Sequence, residues 1–176
     1  ELDADIAGIY EDFFPDDTVI VDDAHEYLRQ HFAEFDFIWS SPPCPSHSKA
    51  RFHIGVQHKG FEPVFPEMSL YQEILFLRHH FDGQWCVENV VPYYEPLIPA
   101  QKIGRHLYWS NFPLPNIEEK SEGLRDKNKV SQMEALHDFD LSQYRVKNKR
   151  QILRNVASPS VGLEILKAAQ LSDALF

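Results

Sequence analysis

The stretch DFIWSSPPCPSHSKARF, residues 36–52, decides how the chain is read. It opens within an apolar, aromatic run (FDFIWSS, 35–41) of the kind that fits a pleated, buried surface. Pro42 ends that run, because proline has no backbone N–H to give to a neighbouring strand. One of only two cysteines in the chain, Cys44, stands directly behind the Pro42–Pro43 pair, where the strand meets a polar loop that turns basic at Lys49 and Arg51. A thiol in that place is either used chemically or buried as a structural residue, and a lone cysteine is more often the latter.

The flanking sequence frames the choice. IAGIYEDFF has helical spacing and stops at Pro15, TVIV (18–21) reads as a short β-branched strand, and DAHEYLRQHF (23–32) reads as a helix with acids in its first turn. Residues 42–66 hold five prolines and two glycines without periodicity, which predicts a long loop, a feature usually functional or disordered in a compact domain. PEMSLYQEILFLRHHF (66–81) is amphipathic, QWCVENV (84–90) is a buried strand reaching a polar tip, and RHLYWSNF (105–112) is a further strand. Residues 113–150 read as polar and irregular, and VGLEILKAAQL (161–171) as a closing helix. Strands alternate with helices to about residue 90, which predicts an α/β fold with a mostly parallel sheet and helices on both faces. Ligands of such sheets bind beyond the carboxyl ends of the strands. Asp23, Cys44 and Glu88 fall at three such ends.

With 176 residues and 43% hydrophobic content, the chain can bury a real core as one domain. It has no apolar run long enough to cross a membrane and no signal-like start, so no membrane partner is expected. Two cysteines are too few for a disulfide framework, which points to a reducing cytoplasm. The net charge of −10 is unevenly spread: residues 1–36 carry twelve Asp/Glu against Arg29 alone, so the remainder is close to neutral. That remainder can present basic faces. Candidates are Lys49, Arg51 and Lys59; Arg125, Lys127 and Lys129; and Arg145, Lys147, Lys149 and Arg150. The opening ELDADIAGIY reads as the end of a strand entering a helix, so an upstream segment is expected, in the gene or on another chain.

Chemically, Cys44 and Glu88 can pair as nucleophile and general acid. A thiolate attacks an electron-poor carbon, and a partly buried carboxylic acid donates a proton as charge builds on a ring nitrogen. Two rivals use the same thiol. Cys44, His47, His53 and His58 form a loose C-x2-H-x5-H-x4-H string that could hold zinc, and any of nine histidines could serve a cysteine peptidase. Cys86, between Trp85 and Val87, reads as core.

Taken together, SSPPCPSHS, ENV, GRHLYW and RNVASPSVG resemble, in order and approximate spacing, the motifs of the DNA cytosine-5 methyltransferases. The likeness runs from Glu1 to about Leu166 and is weakest across 113–150. It implies a Rossmann-like, S-adenosylmethionine-dependent methyltransferase fold, a three-layer sandwich incomplete at the N-terminus. It divides the chain into a catalytic core (1–112), a minimal target-recognition region (113–150) and a closing motif (151–176). Cys44 then resembles the nucleophile that adds to carbon 6 of a flipped cytosine, and Glu88 the acid at ring nitrogen 3. Arg105 resembles the second arginine of a Gln-x-Arg-x-Arg motif that begins at Gln101. Ser46, Ser48, Lys49 and Arg51 resemble a loop that closes on double-stranded DNA. Glu1, Leu2, Asp23, Ala24, Pro42 and Asn155 resemble the positions that border S-adenosyl-L-methionine, with no metal required.

The chain also departs from the family. Ile103 replaces the first arginine, the glycine-rich turn that holds the methionine end is absent, and QMEALHDFDLSQY only loosely resembles the short motif before the end. The likeness implies a prokaryotic or phage enzyme of the restriction-modification kind. Such a chain alone is expected to bind the cofactor weakly and to be completed by an upstream segment or a complementary subunit. The alternative is a catalytically inactive or split-enzyme fragment that binds DNA or a partner.

Overall fold

Two apolar runs meet side by side in the computed structural model, which describes residues 1–117 and 130–173. Strand β1 (Phe37–Ser40) pairs in parallel with β2 (Gln84–Val90), Phe37 opposite Gln84 and Ser40 opposite Val87. A parallel neighbour needs a crossover, and helix α4 (Ser69–His80) supplies it. The sheet then changes sense. Strand β4 (His106–Ser110) runs antiparallel to β2, and β3 (Gln101–Ile103) pairs antiparallel with β4 at the edge, giving the order β1-β2-β4-β3. The architecture is α/β with a mixed four-stranded sheet. The expectation of a mostly parallel sheet is corrected: one of the three pairings is parallel. The cause is a tight β3–β4 hairpin, whose turn passes through Gly104 at φ +57°, a conformation that glycine adopts without steric cost.

The chain divides into two compact units, Arg29–Ser121 with Ser160–Phe176, and Glu1–Leu28 with Glu122–Pro159. The sheet lies in the first of these. Period-two alternation sends Trp39, Cys86 and Tyr108 to one face, where they pack with Val161, Ile165 and Ala169 of helix α7 (Pro159–Asp173). The opposite face receives α4: Tyr71 meets Trp109 edge to face and the Ser40 hydroxyl donates to Glu73 at 2.6 Å. Cys86 is fully buried, as its apolar neighbours suggest, and burial pushes its thiol up to about 12.

The second unit is helical. Helix α1 (Ala4–Phe13) starts at Asp3, whose carboxylate accepts from the backbone of Asp5 and Ile6. Helix α2 (Ala24–His31) begins in this unit and continues into the other. Ile9 packs with Met133 of α5 (Val130–His137), Leu141, and Leu153 of α6 (Lys149–Asn155). Helix α5 corrects the irregular reading of 113–150 over Val130–His137, and α6 begins only at Lys149. Thr18–Val21, expected as a strand, is extended but pairs with no strand among the described residues. Its one rung is at Glu1: the Glu1 amino group donates to Ile20 O (3.1 Å) and Asp22 N–H donates to Glu1 O (3.2 Å), the two bonds of a parallel bridge around Val21. β-branched composition favours extension, but a strand needs a ladder, and here the ladder is one rung long.

The supposed loop 42–66 is also more ordered than its composition suggests. Arg51–Val56 forms a π-helical turn that continues into α3 (Gln57–Lys59) and is closed by Gly60 at φ +70°.

Candidate active site

The polar groups at the tip of the sheet are built from the strand ends. Beyond Ser40 the chain leaves β1 at Ser41, whose hydroxyl donates to Glu88 Oε2 at 3.0 Å and accepts from the Trp39 indole N–H at 3.0 Å. The next residue of β2, Asn89, points the other way and is buried. Its amide donates to the carbonyl of the buried Pro42 at 2.9 Å, and its Oδ1 accepts from Val90 N–H at 3.0 Å. Glu88 and Asn89 thus hold Ser41 and Pro42 from alternate faces, which places Cys44 just past a backbone that cannot shift without breaking both contacts.

Cys44 is half-buried and free. Burial raises its thiol above the ordinary value, and the Glu88 charge raises it further; its own backbone N–H and then Arg105 act in the opposite sense. Glu88 and Arg105 are therefore both within electrostatic reach of the thiol, although 61 positions of sequence separate Cys44 from Arg105. Arg105 sits in the β3–β4 turn, and its carbonyl accepts from Val91 N–H at 3.4 Å. Gln101, at the start of the same motif, instead donates its amide to Pro115 O at 3.0 Å.

One neighbour escaped the sequence. His106 Nε2 lies 3.5 Å from Glu88 Oε1, and burial, then Arg105, lowers its pKa to about 4. His106 is therefore neutral across the physiological range, and its contact with Glu88 is polar rather than ionic. The signal existed only as register: His106 stands opposite Val90, two residues beyond Glu88 on the same face.

The loop residues divide in use. Ser46 Oγ accepts from Glu67 N–H (2.9 Å) and Ser48 Oγ from Arg51 N–H (3.4 Å). The Arg51 guanidinium donates to Glu62 O (3.3 Å) and lies over the Phe61 ring at 5.7 Å, so both serine hydroxyls and this guanidinium already hold the loop together. Lys49 is exposed. Of the zinc string, His47 is buried and hydrogen-bonded to Tyr94, and His53 to Gln57. Among the described residues no three His, Cys, Asp or Glu side chains converge as a metal site. Of the other basic clusters, Arg125, Lys127 and Lys129 lie outside the described residues. Lys149 is committed to the carbonyls of Leu141 and Ser142, while Arg145 and Lys147 are exposed.

In the helical unit, Glu1 Oε1 accepts from Asp3 N–H at 2.9 Å, and Leu2 is 73% exposed. Asp23 caps α2, Oδ1 accepting from His25 N–H (2.9 Å) and Glu26 N–H (3.2 Å), with Ala24 as the first helical residue. Asn155 ends α6 and accepts from Gln151 at 3.0 Å. Because Glu1 bonds to both Ile20 and Asp22, two exposed carboxylates, Glu1 and Asp23, flank the chain around Leu2. Glu1 also borders an open cavity of about 530 Å³ lined by Ile6, Ala7, Tyr10 and Ile20.

Comparison with family models, curated proteins and solved structures finds no match to this chain.

Proposed function

We propose that the chain carries the catalytic cluster of a DNA cytosine-5 methyltransferase. One arrangement carries this reading: the Ser41–Glu88 and Asn89–Pro42 hydrogen bonds set Cys44 at the tip of β2, where Glu88 and Arg105 act on its thiol with opposite sign. The sheet, with α4 on one face and α7 on the other, supports a three-layer, Rossmann-like methyltransferase fold.

The cluster suits addition to an electron-poor ring. Burial and the Glu88 carboxylate disfavour a thiolate while Glu88 is ionised. Moving the proton from Cys44 to Glu88 relieves that repulsion and yields a nucleophile beside an acid, so the two groups behave as a pair sharing one proton. The thiolate forms a bond to carbon 6 of cytosine, and Glu88 gives its proton to ring nitrogen 3, leaving electron density on carbon 5. Ser41 and His106 hold the carboxyl of Glu88 in position. Once carbon 5 carries the methyl group, it would lose its proton to solvent water, the bond from carbon 6 to sulfur would break with the electron pair returning to Cys44, and ring nitrogen 3 would return its proton to Glu88, restoring the starting pair. Arg105 opposes the build-up of negative charge throughout.

S-adenosylmethionine is the methyl donor of this reading and supplies an electrophilic methyl group when bound. In the helical unit Glu1, Leu2 and Asp23 have the chemistry it requires, carboxylates for ribose hydroxyls or the adenine amine and an apolar side chain for the adenine plane. Double-stranded DNA is the proposed partner. Residues 45–61 contain no Asp or Glu but hold Lys49, Arg51 and Lys59, in a chain with 27 acids. A second reading, a fragment completed by a partner segment, is favoured by Thr18–Val21, which among the described residues is bridged only to Glu1 and leaves Ile20 and Val21 40% and 53% exposed.

The test is methyl transfer itself. The chain, with labelled S-adenosylmethionine and cytosine-containing duplex, is expected to place label on carbon 5, read as 5-methylcytosine after digestion. Label on the exocyclic amine or on adenine would reject the reading.

A further inference from the structure

His47, three residues past Cys44, has no part in the chemistry above, yet it is among the most buried side chains of the protein at 1% exposure. Its Nδ1 lies 2.6 Å from the Tyr94 hydroxyl. The chain of contacts continues: the Tyr71 hydroxyl donates to Tyr94 at 3.4 Å, and the Leu97 N–H donates to Tyr71 at 3.3 Å. An amide N–H can only donate. With Leu97 N–H donating to Tyr71 and Tyr71 donating to Tyr94, the Tyr94 hydroxyl keeps its own proton for His47 Nδ1, which places the imidazole proton on Nε2. Burial keeps both His47 and Tyr94 uncharged: it lowers the histidine and raises the phenol. Nε2 is buried and makes no hydrogen bond, with the Glu67 backbone and carboxylate as the nearest groups favouring its proton. A buried donor left in that state is costly, so this site is maintained for what it holds in place.

What it holds is the turn behind the thiol. His47 N–H donates to Cys44 O at 3.0 Å, Tyr93 N–H donates to His47 O at 3.1 Å, and the Phe52 and Tyr93 rings stack at 4.4 Å with 6° between their planes. Asn89 fixes Pro42 on one side of Cys44, and the tyrosine pair fixes His47 on the other.

We infer that His47 and Tyr94 are positioning residues, whose hydrogen bond ties the turn after Cys44 to the segment following β2 and keeps the thiol within reach of Glu88 and Arg105. The purpose of that positioning rests on the reading of Cys44 as a nucleophile; the positioning itself does not.

The experiment therefore reads the thiol rather than turnover. Iodoacetamide alkylation of Cys44 is followed against pH by peptide mapping on the full chain, with buried Cys86 as the unreactive internal reference. The charged groups acting on Cys44 are Glu88 and Arg105, and both stay in place in every variant. Wild type is expected to titrate above an ordinary thiol. Tyr94→Phe, which keeps the ring, and His47→Phe are expected to titrate lower and to alkylate faster at neutral pH, about tenfold for each pH unit by which the titration curve moves. His47→Gln, whose amide can both accept from Tyr94 and donate, is expected to restore most of the wild-type curve, which a general loss of packing would not allow. Near-UV circular dichroism verifies that each variant is folded. An unchanged titration in folded Tyr94→Phe and His47→Phe, or an ordinary wild-type thiol, overturns the positioning role. Absence of methyl transfer with the expected thiol curves would instead remove the methyltransferase reading and leave the positioning intact.

Discussion

If the proposed chemistry holds, Glu88→Gln is expected to lower methyl transfer by about 10²–10⁴-fold while making the Cys44 thiol easier to ionise. The two effects have opposite sense because Glu88 has two roles. In the proposed reaction it is the acid that delivers a proton to ring nitrogen 3, which an amide cannot do. As a charge it raises the Cys44 thiol, and an amide does not. The substitution keeps the shape of the side chain, and an amide oxygen can still accept from Ser41, which now donates to Glu88 at 3.0 Å. Arg105→Ala is the counterpart: it removes an influence that lowers the thiol, so Cys44 titrates higher. Alkylation rates against pH, set beside turnover, separate the two. A Glu88→Gln protein in which the thiol is unmoved would place Glu88 outside the electrostatic reach of Cys44.

Trp85→Ala is expected to destabilise the sheet unit by about 3–5 kcal/mol, the usual cost of removing a large aromatic side chain from a core. Trp85 is 1% exposed, the second residue of β2, opposite Ile38 of β1 and just before the ladder with β4 begins at Cys86. Its backbone N–H is also held by Asn111 Oδ1 at 2.9 Å, so the ladder end and the core meet at this residue. A loss of that size is a large share of the roughly 5–15 kcal/mol typical of a folded domain. Urea unfolding followed by circular dichroism measures it, and a cost below about 1 kcal/mol would mean that Trp85 is not the core residue described.

The sequence revealed different parts of this structure to different depths. FDFIWSS, QWCVENV and PEMSLYQEILFLRHHF were legible because their apolar patterns are local and strong; the structure forms β1, β2 and α4 within them. TVIV looked equally strand-like, but pairing is non-local, and only Glu1 meets it. Gln101–Ile103 was missed because three residues before a glycine turn carry no pattern of their own. The helices Val130–His137 and Lys149–Asn155 were missed because each buries few side chains within a polar surround, Met133 and Leu153 being the buried ones. At the site, Cys44 and Glu88 were legible as residue types at strand ends and Arg105 only through the family resemblance; Glu88 and Arg105 both act on the Cys44 thiol. His106 and Tyr94 were not, since their contacts with Glu88 and His47 depend on register and on a turn that no spacing encodes. Asp23 was read as the acid at the end of a strand TVIV; without that strand, it caps α2.

The most direct measurement is covalent capture of the nucleophile. In DNA carrying 5-azacytosine, nitrogen at ring position 5 makes carbon 6 more electrophilic and leaves no carbon-5 proton to drive elimination, so a thiol adduct persists. Intact-protein mass spectrometry of the chain incubated with such a duplex and S-adenosylmethionine is expected to show one added strand, mapped by digestion to Cys44, and none with Cys44→Ser. An adduct that persists in Cys44→Ser, or one that maps to another residue, would contradict the assignment of Cys44 as the nucleophile.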